Sequence, residues 1–235
     1  MYHQHFNSIT STQTYLKDNL ELLKEKDDDI LISASEQSAG FGQRGNQWDN
    51  YANNITLSFT LEPQRVATLT PLEVGILVIS FIKKKFNQDL FLKWPNDILT
   101  SEGKKCGGIL CQYIDSSTVI VGVGINLGKF FAPLNNQYRH GLASVDQNLE
   151  ISSQDQEIIS KELYLFVKMN RISAADDIKK SFDLFCYHLN MDVSIFEDGE
   201  NHHGLFKGIG VNGEALIEIN STTRAFLSSS LTIKN

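Results

Sequence analysis

Lys93-Trp94-Pro95-Asn96-Asp97-Ile98-Leu99-Thr100-Ser101-Glu102-Gly103-Lys104-Lys105-Cys106-Gly107-Gly108-Ile109-Leu110 sets three lysines, the carboxylate of Asp97, an Asn, an X-Pro bond and a glycine pair between apolar runs. Phe91 to Trp94 is strand-like, Asp97 to Leu99 continues it, Ser101-Glu102-Gly103 is turn chemistry, and Lys105 to Tyr113 returns as a strand. The stretch therefore reads as a β-hairpin that carries chemistry. If Asp97 to Thr100 pairs with Lys105 to Gly108, carboxylate and amine meet at one end of it. Such a pair is either a surface salt bridge worth under about 1 kcal/mol or a holder for a metal-bound polyphosphate.

Upstream, Thr70-Pro71-Leu72-Glu73 predicts a helix start, with Thr70 as N-cap, Pro71 in the first turn and Glu73 completing a capping box. The apolar run to Phe86 makes that helix buried, and Lys83-Lys84-Lys85 suits the negative pole of its dipole. Before it, Ile30 to Ser35 reads as a buried strand and Ile55 to Leu61 as an alternating one. Between them Gly40, Gly42 and Gly45 match the dinucleotide pattern G-x-G-x-x-G. That reading is rejected, because the pattern needs a helix opening at the glycines, and loop residues 49 to 54 follow instead. The segment is either a surface loop or a set of backbone N–H groups with one cation, Arg44, for an anionic ligand. Thr10, Ser11 and Thr12 are capping residues for one amphipathic helix carrying Leu16, Leu20 and Leu23 and ending at Asp27-Asp28-Asp29.

Downstream, Thr118 to Val121 is a strand that ends in Gly122-Val123-Gly124-Ile125-Asn126-Leu127. Alternating glycines mark close approach of a ligand or another chain segment. Residues 128 to 150 read as irregular, and 155 to 169 and 174 to 189 as two helices covering a sheet. The tail holds short strands at Met191 to Ile195, Gly204 to Ile209, Glu214 to Ile219 and Ala225 to Ile233, separated by Asp198-Gly199, Asn212-Gly213 and Asn220-Ser221. That spacing predicts a small β-barrel and a boundary near Asn190, dividing the chain into residues 1–189 and 190–235.

A chain of 235 residues with 41% hydrophobic content builds real cores. Its net charge of −7 argues against general nucleic-acid binding. Cys106, Cys111 and Cys186 are odd in number and have no paired spacing, and with no signal-peptide pattern they fit reduced thiols in the cytoplasm. The most apolar run, Gly75 to Ile82, is far shorter than the roughly 20 residues a membrane span requires.

Together the segments resemble the biotin protein ligase family along nearly the whole chain. Ser11-Thr12-Gln13 is similar to its S-T-N, Gly40 to Trp48 to its G-R-G-x-x-G-x-x-W, and Lys105 to Leu110 to its K-x-x-G-I-L. Lys93 to Asp97 is identical to its K-W-P-N-D, and Gly122 to Asn126 matches its G-x-G-I-N. The resemblance implies an α+β fold: a mixed central sheet covered by helices, as in class II synthetases, with a small C-terminal SH3-like β-barrel. It implies that biotin and Mg-ATP give biotinyl-5′-AMP, from which a lysine of a biotin carboxyl carrier protein takes the acyl group.

Carried over by position, Lys105 stabilises the charge developing at phosphorus, Arg44 holds phosphate, and Asp97 coordinates Mg²⁺ or orients the carrier amine. Ser11, Thr12 and Gln37 face the ureido head of biotin, with Gln13, Gly40, Phe41, Gly42, Gln43, Lys105 and Gly108 also in the biotin site and the chain of biotin lying along Gly122 and Gly124. Arg44, Gly45, Trp48, Asn96, Lys105 and Asn126 take the adenylate end. Lys104 is the bystander. Phe41 departs from the family's usual Arg or Lys, Gln43 from a position that is often basic, and Gln13 from the usual Asn. The chain begins at the ligase region, so the DNA-binding domain of some bacterial members is not expected, nor DNA binding; a homodimer through a sheet edge is open. A lipoate or octanoate ligase shares the fold, but that family's R-R-x-x-G-G-G with a following His is missing here. A biotin-binding regulator without catalysis is the other alternative, prompted by Phe41 and Gln43.

Overall fold

The computed structural model describes residues 1–48, 53–129, 141–197, 199–227 and 230–234. A seven-stranded mixed sheet organises the larger part, in the order β1-β2-β3-β7-β6-β5-β4. Its strands are β1 (Tyr2–Ile9), β2 (Ile30–Gln37), β3 (Asn54–Leu61), β4 (Leu90–Lys93), β5 (Asp97–Thr100), β6 (Lys105–Tyr113) and β7 (Val119–Asn126). Only β1 and β2 run parallel.

The run Ile30-Leu31-Ile32 is apolar without alternation because both faces of β2 are covered. Leu31 joins the main core, beneath α3 (Thr70–Phe86) and α4 (Ser153–Met169). Ile30 and Ile32 meet Leu16, Leu20 and Leu23 on the opposite face. Those leucines sit on α1 (Thr12–Asp18) and α2 (Leu20–Lys24), two helices where the sequence predicts one. The break is at Asn19, whose side-chain amide bonds the Tyr15 carbonyl at 2.8 Å and whose backbone leaves the helical region.

The helix over 70 to 86 forms as predicted, but its capping box does not. Leu69 is the N-cap and no side chain caps it. Glu73 is instead fully buried and held by Arg171, Nε to Oε1 at 2.7 Å and Nη2 to Oε2 at 2.9 Å, with further bonds from Ile172 N and Gln64. The helix predicted over 174 to 189 is α5 (Ala175–Phe185) and stops early, since Cys186 turns extended and bridges Leu92 of β4, with Tyr187 N on Leu92 O at 2.9 Å.

Asp97 does not continue the preceding strand. Trp94, Pro95 and Asn96 make a tight turn with a cis Trp94–Pro95 bond, and β5 returns antiparallel on β4 with Lys93 opposite Asp97. The expected pairing of β5 with β6 is present: Asp97 faces Gly108, Ile98 faces Gly107, and a bulge then brings Leu99 opposite Lys105.

The tail forms five strands rather than four: β8 (Asp192–Glu197), β9 (Glu200–Ile209), β10 (Ala215–Ile219), β11 (Thr222–Phe226) and β12 (Ser230–Ile233). They form an antiparallel sheet in the order β11-β10-β9-β8-β12. Asn220 and Ser221, at φ 50° and 62°, make the expected two-residue turn between β10 and β11, and the predicted last strand, Ala225 to Ile233, is divided between β11 and β12. Val193, Phe206 and Ile217 of this sheet belong to the same apolar core as α3 and α5. Of the turn expected at Asp198-Gly199, Asp198 lies outside the described residues, as do 130 to 140 of the irregular stretch.

Candidate active site

A cleft of about 670 Å³ opens on the α1 face of the central sheet. Strand register explains its floor. Asp97, Gly108, Gly124 and Thr56 form one row across four strands, and Leu110, Gly122 and Ser58 form the next. The glycines at 122 and 124 thus fall on one face, where a Cβ would meet other parts of the protein. At Gly122 it would lie 2.7 Å from Gln13 Oε1, and at Gly124 2.6 Å from Trp48 Cε2. The close approach expected of this strand is real, and two side chains of the chain itself already make it.

At one end sit the residues that open α1. Ser11 caps the helix through Thr14 N at 3.3 Å, so capping and cleft lining are not alternatives. Thr12 bonds Gln37 Oε1 twice, through N at 2.7 Å and Oγ1 at 3.0 Å, and its hydroxyl also meets Ser58 Oγ at 2.9 Å. Gln13 donates from Nε2 to the Ile120 carbonyl at 3.2 Å, which fixes its amide orientation, because that carbonyl only accepts. Its Oε1 is left buried without a partner.

At the other end, Asp97 lies between two ammonium groups. Lys105 Nζ is 2.5 Å from Oδ1 and Lys93 Nζ is 3.3 Å from Oδ2. Burial alone would raise the Asp97 carboxyl, but Lys105 and then Lys93 outweigh it and hold the group below its ordinary value. Lys104 points away into a 2.6 Å pair with Glu102 and does not line the cleft. The bulge explains how Lys105 and Gly108 share a face although three residues apart, since unbroken alternation would turn them to opposite faces. Cys106 consequently points into the core, where burial pushes its thiol up to about 12.

Asn126 donates to the Ala143 carbonyl at 3.2 Å and leaves Oδ1 buried without a partner, and Asn96 donates to the Ile109 carbonyl at 2.7 Å. Gly40 to Trp48 folds over the floor as a small hairpin, with Trp48 N on Gly40 O at 2.9 Å and Gly42 N on Asn46 O at 2.7 Å. A one-turn 3-10 segment, Gln43–Gly45, stands where a dinucleotide fold would start a full helix. Phe41, Gly42, Gln43, Arg44 and Trp48 line the cleft, and Trp48 Nε1 is a third buried polar atom without a partner. Buried orphans of this kind are rare in folded proteins, and here an acceptor, a donor and an acceptor surround one cavity.

Every residue assigned from sequence lines the cleft except Gly40 and Gly45. Gly40 lies under the hairpin stem, where a Cβ would be 2.9 Å from the Trp48 carbonyl, and Gly45 adopts φ +74°. Both shape the loop. Sequence reasoning missed Lys93, Thr56, Ser58 and Leu231. The polar alternation of Ile55 to Leu61 carried a signal for Thr56 and Ser58; nothing local marks Leu231.

The residues present do not fit a protein-held magnesium. Asp97 is the one carboxylate among the described lining residues, both of its oxygens face ammonium groups, and no group of three or more His, Cys, Asp or Glu among the described residues could hold a metal.

Residues 5–128 match the family model of the biotin/lipoate A/B protein ligase family. The bifunctional ligase/repressor BirA of Escherichia coli (strain K12) is 24% identical over 237 residues, 97% of this chain and 72% of that protein. The biotin--[acetyl-CoA-carboxylase] ligase of Paracoccus denitrificans is 33% identical over 111 residues, 41% of this chain and 43% of that one. Among solved structures, biotin protein ligase from Aquifex aeolicus in complex with biotin and ATP superposes with a TM-score of 0.80 over 99% of both chains at 21% identity. The Helicobacter pylori biotin acetyl coenzyme A carboxylase synthetase with bound biotinylated ATP gives 0.67 over 95% of this chain and 99% of that one, at 24% identity. At such identities the structural likeness establishes the fold.

Proposed function

The chain belongs to the biotin/lipoate A/B protein ligase family, and from that premise we propose that it is a biotin ligase that couples biotin to a lysine of a carrier protein through an adenylate. The observation that carries biotin over lipoate is the buried, unpartnered Gln13 Oε1 beside the glycine floor. An orphaned acceptor selects a head group with an N–H, which a ureido ring has and a dithiolane lacks. The Paracoccus denitrificans relative, named as a biotin ligase, supports the same choice.

In the first step a carboxylate oxygen of biotin bonds to the α-phosphorus of ATP and the bond to the β-phosphate oxygen breaks, releasing pyrophosphate. Both reactants are anions, so catalysis rests on fixed positive charge. Lys93, Asp97 and Lys105 together carry a net single positive charge, with Lys105 the most exposed to the cleft. Arg44 supplies a forked cation for phosphate. Trp48 Nε1 and Asn126 Oδ1 offer a donor and an acceptor to the adenylate. In the second step the neutral amine nitrogen of a carrier lysine attacks the acyl carbon, AMP leaves with the bonding electrons, and the proton released from the nitrogen passes to solvent. Asp97 serves by orienting charge; ionised below the usual range and held by two ammonium groups, it is a weak proton acceptor. Magnesium would neutralise the phosphates when bound to ATP, and the described residues supply no cage for it.

The test is to incubate the protein with MgATP, an apo biotin carrier domain and either biotin or lipoate, and weigh the carrier. A mass gain with biotin alone is expected. Gain with lipoate alone, or none with either, refutes the reading. Lys105→Ala should abolish pyrophosphate release while Lys104→Ala keeps most of it, and equal activity of the two would refute the assignment of Lys105. Pairing of two copies across a sheet edge would fall to β1, because Cys186 already bridges Leu92 of β4.

A further inference from the structure

We propose that Lys93 is a positioning residue that acts on Lys105 through Asp97, an inference that rests on the adenylation read above. The three side chains form a graded series, with relative exposures of 9% at Lys93, 18% at Asp97 and 29% at Lys105. Lys93 stands behind the carboxylate and Lys105 in front of it. A Lys105–Asp97 pair alone would be neutral, and the carboxylate would cancel the charge that the anionic reactants need. Lys93 occupies Oδ2 and divides that negative charge, so Lys105 keeps an effective positive charge toward the cleft.

Placement supports the same role. Lys93 and Asp97 are fixed opposite one another by the β4–β5 register, so both lie on rigid strand ends. Lys105 sits at a bulge and its long side chain takes its direction from Asp97. Packing alone gives no reason for an ammonium at this depth, where desolvation is costly and an apolar residue would serve. His188, the other titratable group near Lys93, is buried and neutral and does not compete for the carboxylate.

The test compares wild type with Lys93→Met, Lys93→Arg, Asp97→Asn and the double variant Lys93→Met/Asp97→Asn, by biotin-dependent pyrophosphate release and by carboxyl-carbon NMR titration of Asp97. Lys93→Met should lower kcat at least about tenfold with KM for biotin within about twofold. The double variant should be no slower than Asp97→Asn alone, and Lys93→Arg should recover most of the loss. The Asp97 resonance should titrate at higher pH in Lys93→Met. An unmoved titration, or multiplicative losses in the double variant, overturns the proposal. Should Lys93→Met not fold, Lys93→Gln takes its place with the same two criteria. If wild type releases no pyrophosphate, the ligase reading fails, while the titration still decides whether Lys93 governs Asp97.

Discussion

Gln13 and Trp48 show how a side chain acquires meaning only from what it faces. From sequence, Gln13 is a milder stand-in for Asn and Trp48 a matching aromatic. In the fold each abuts a glycine of β7, and each keeps one buried polar atom unpaired. The alternation of Gly122 and Gly124 was legible as close approach, but not what approaches, because that depends on a loop arriving from another part of the chain. Gly124→Ala would put a methyl 2.6 Å from the Trp48 ring, so the ring must leave the floor. The expected outcome is a rise in KM for ATP of about tenfold with an altered tryptophan emission, measured by steady-state kinetics and fluorescence. The partnership of Lys105 with Asp97 was legible as well, whereas Lys93 was not, since its burial comes from the hairpin folding back at Pro95.

Among the elements, α3 was read correctly in extent and wrongly in cause. Glu73 has the spacing of a capping box, yet a residue far along the chain, Arg171, claims it in a buried two-pronged ion pair. Local spacing cannot reveal such a partner. Removing one side of a buried pair leaves an unpaired charge, so Arg171→Met should destabilise the fold by about 3 kcal/mol, seen as a lowered denaturant midpoint with unchanged slope. β1 escaped notice for the opposite reason. Its residues Tyr2 to Ile9 are largely polar and none is fully buried, and it exists as a strand because β2 offers it a parallel edge. The five-strand tail was nearly readable, as its Asn-Gly and Asn-Ser turns are local chemistry.

Across the whole molecule, one apolar core continues past residue 189, the boundary expected from strand spacing, and joins residues of both sheets. Trp94, fully buried beside the Lys93–Asp97 turn, donates its indole N–H to Gly213 of the tail at 2.9 Å, and Leu231 of β12 lines the cleft. His188 stands near this junction, its ring 4.1 Å from that of Phe206. Burial first, and the Lys93 charge second, push it from 6.5 down to about 3. Above pH 6.5 both folded and unfolded forms leave it neutral and stability is unaffected by it. As the pH falls from 6.5 toward 3 the unfolded chain binds a proton that the folded one refuses, and stability drops by up to about 1.4 kcal/mol per pH unit. Urea titrations between pH 7.5 and 4.5 should show this slope in wild type and a shallower one in His188→Leu.

Ser11 and Leu231 border the same cavity although they lie near opposite ends of the numbered sequence. During synthesis, then, the lining of the cleft is completed only when β12 has emerged. Emerging chains hold α1, the glycine loop and the Lys93 hairpin before Leu231 is in place. Under the proposed adenylation, a chain cut short ahead of β12 would carry the polar lining of the cleft while lacking the apolar contribution of Leu231.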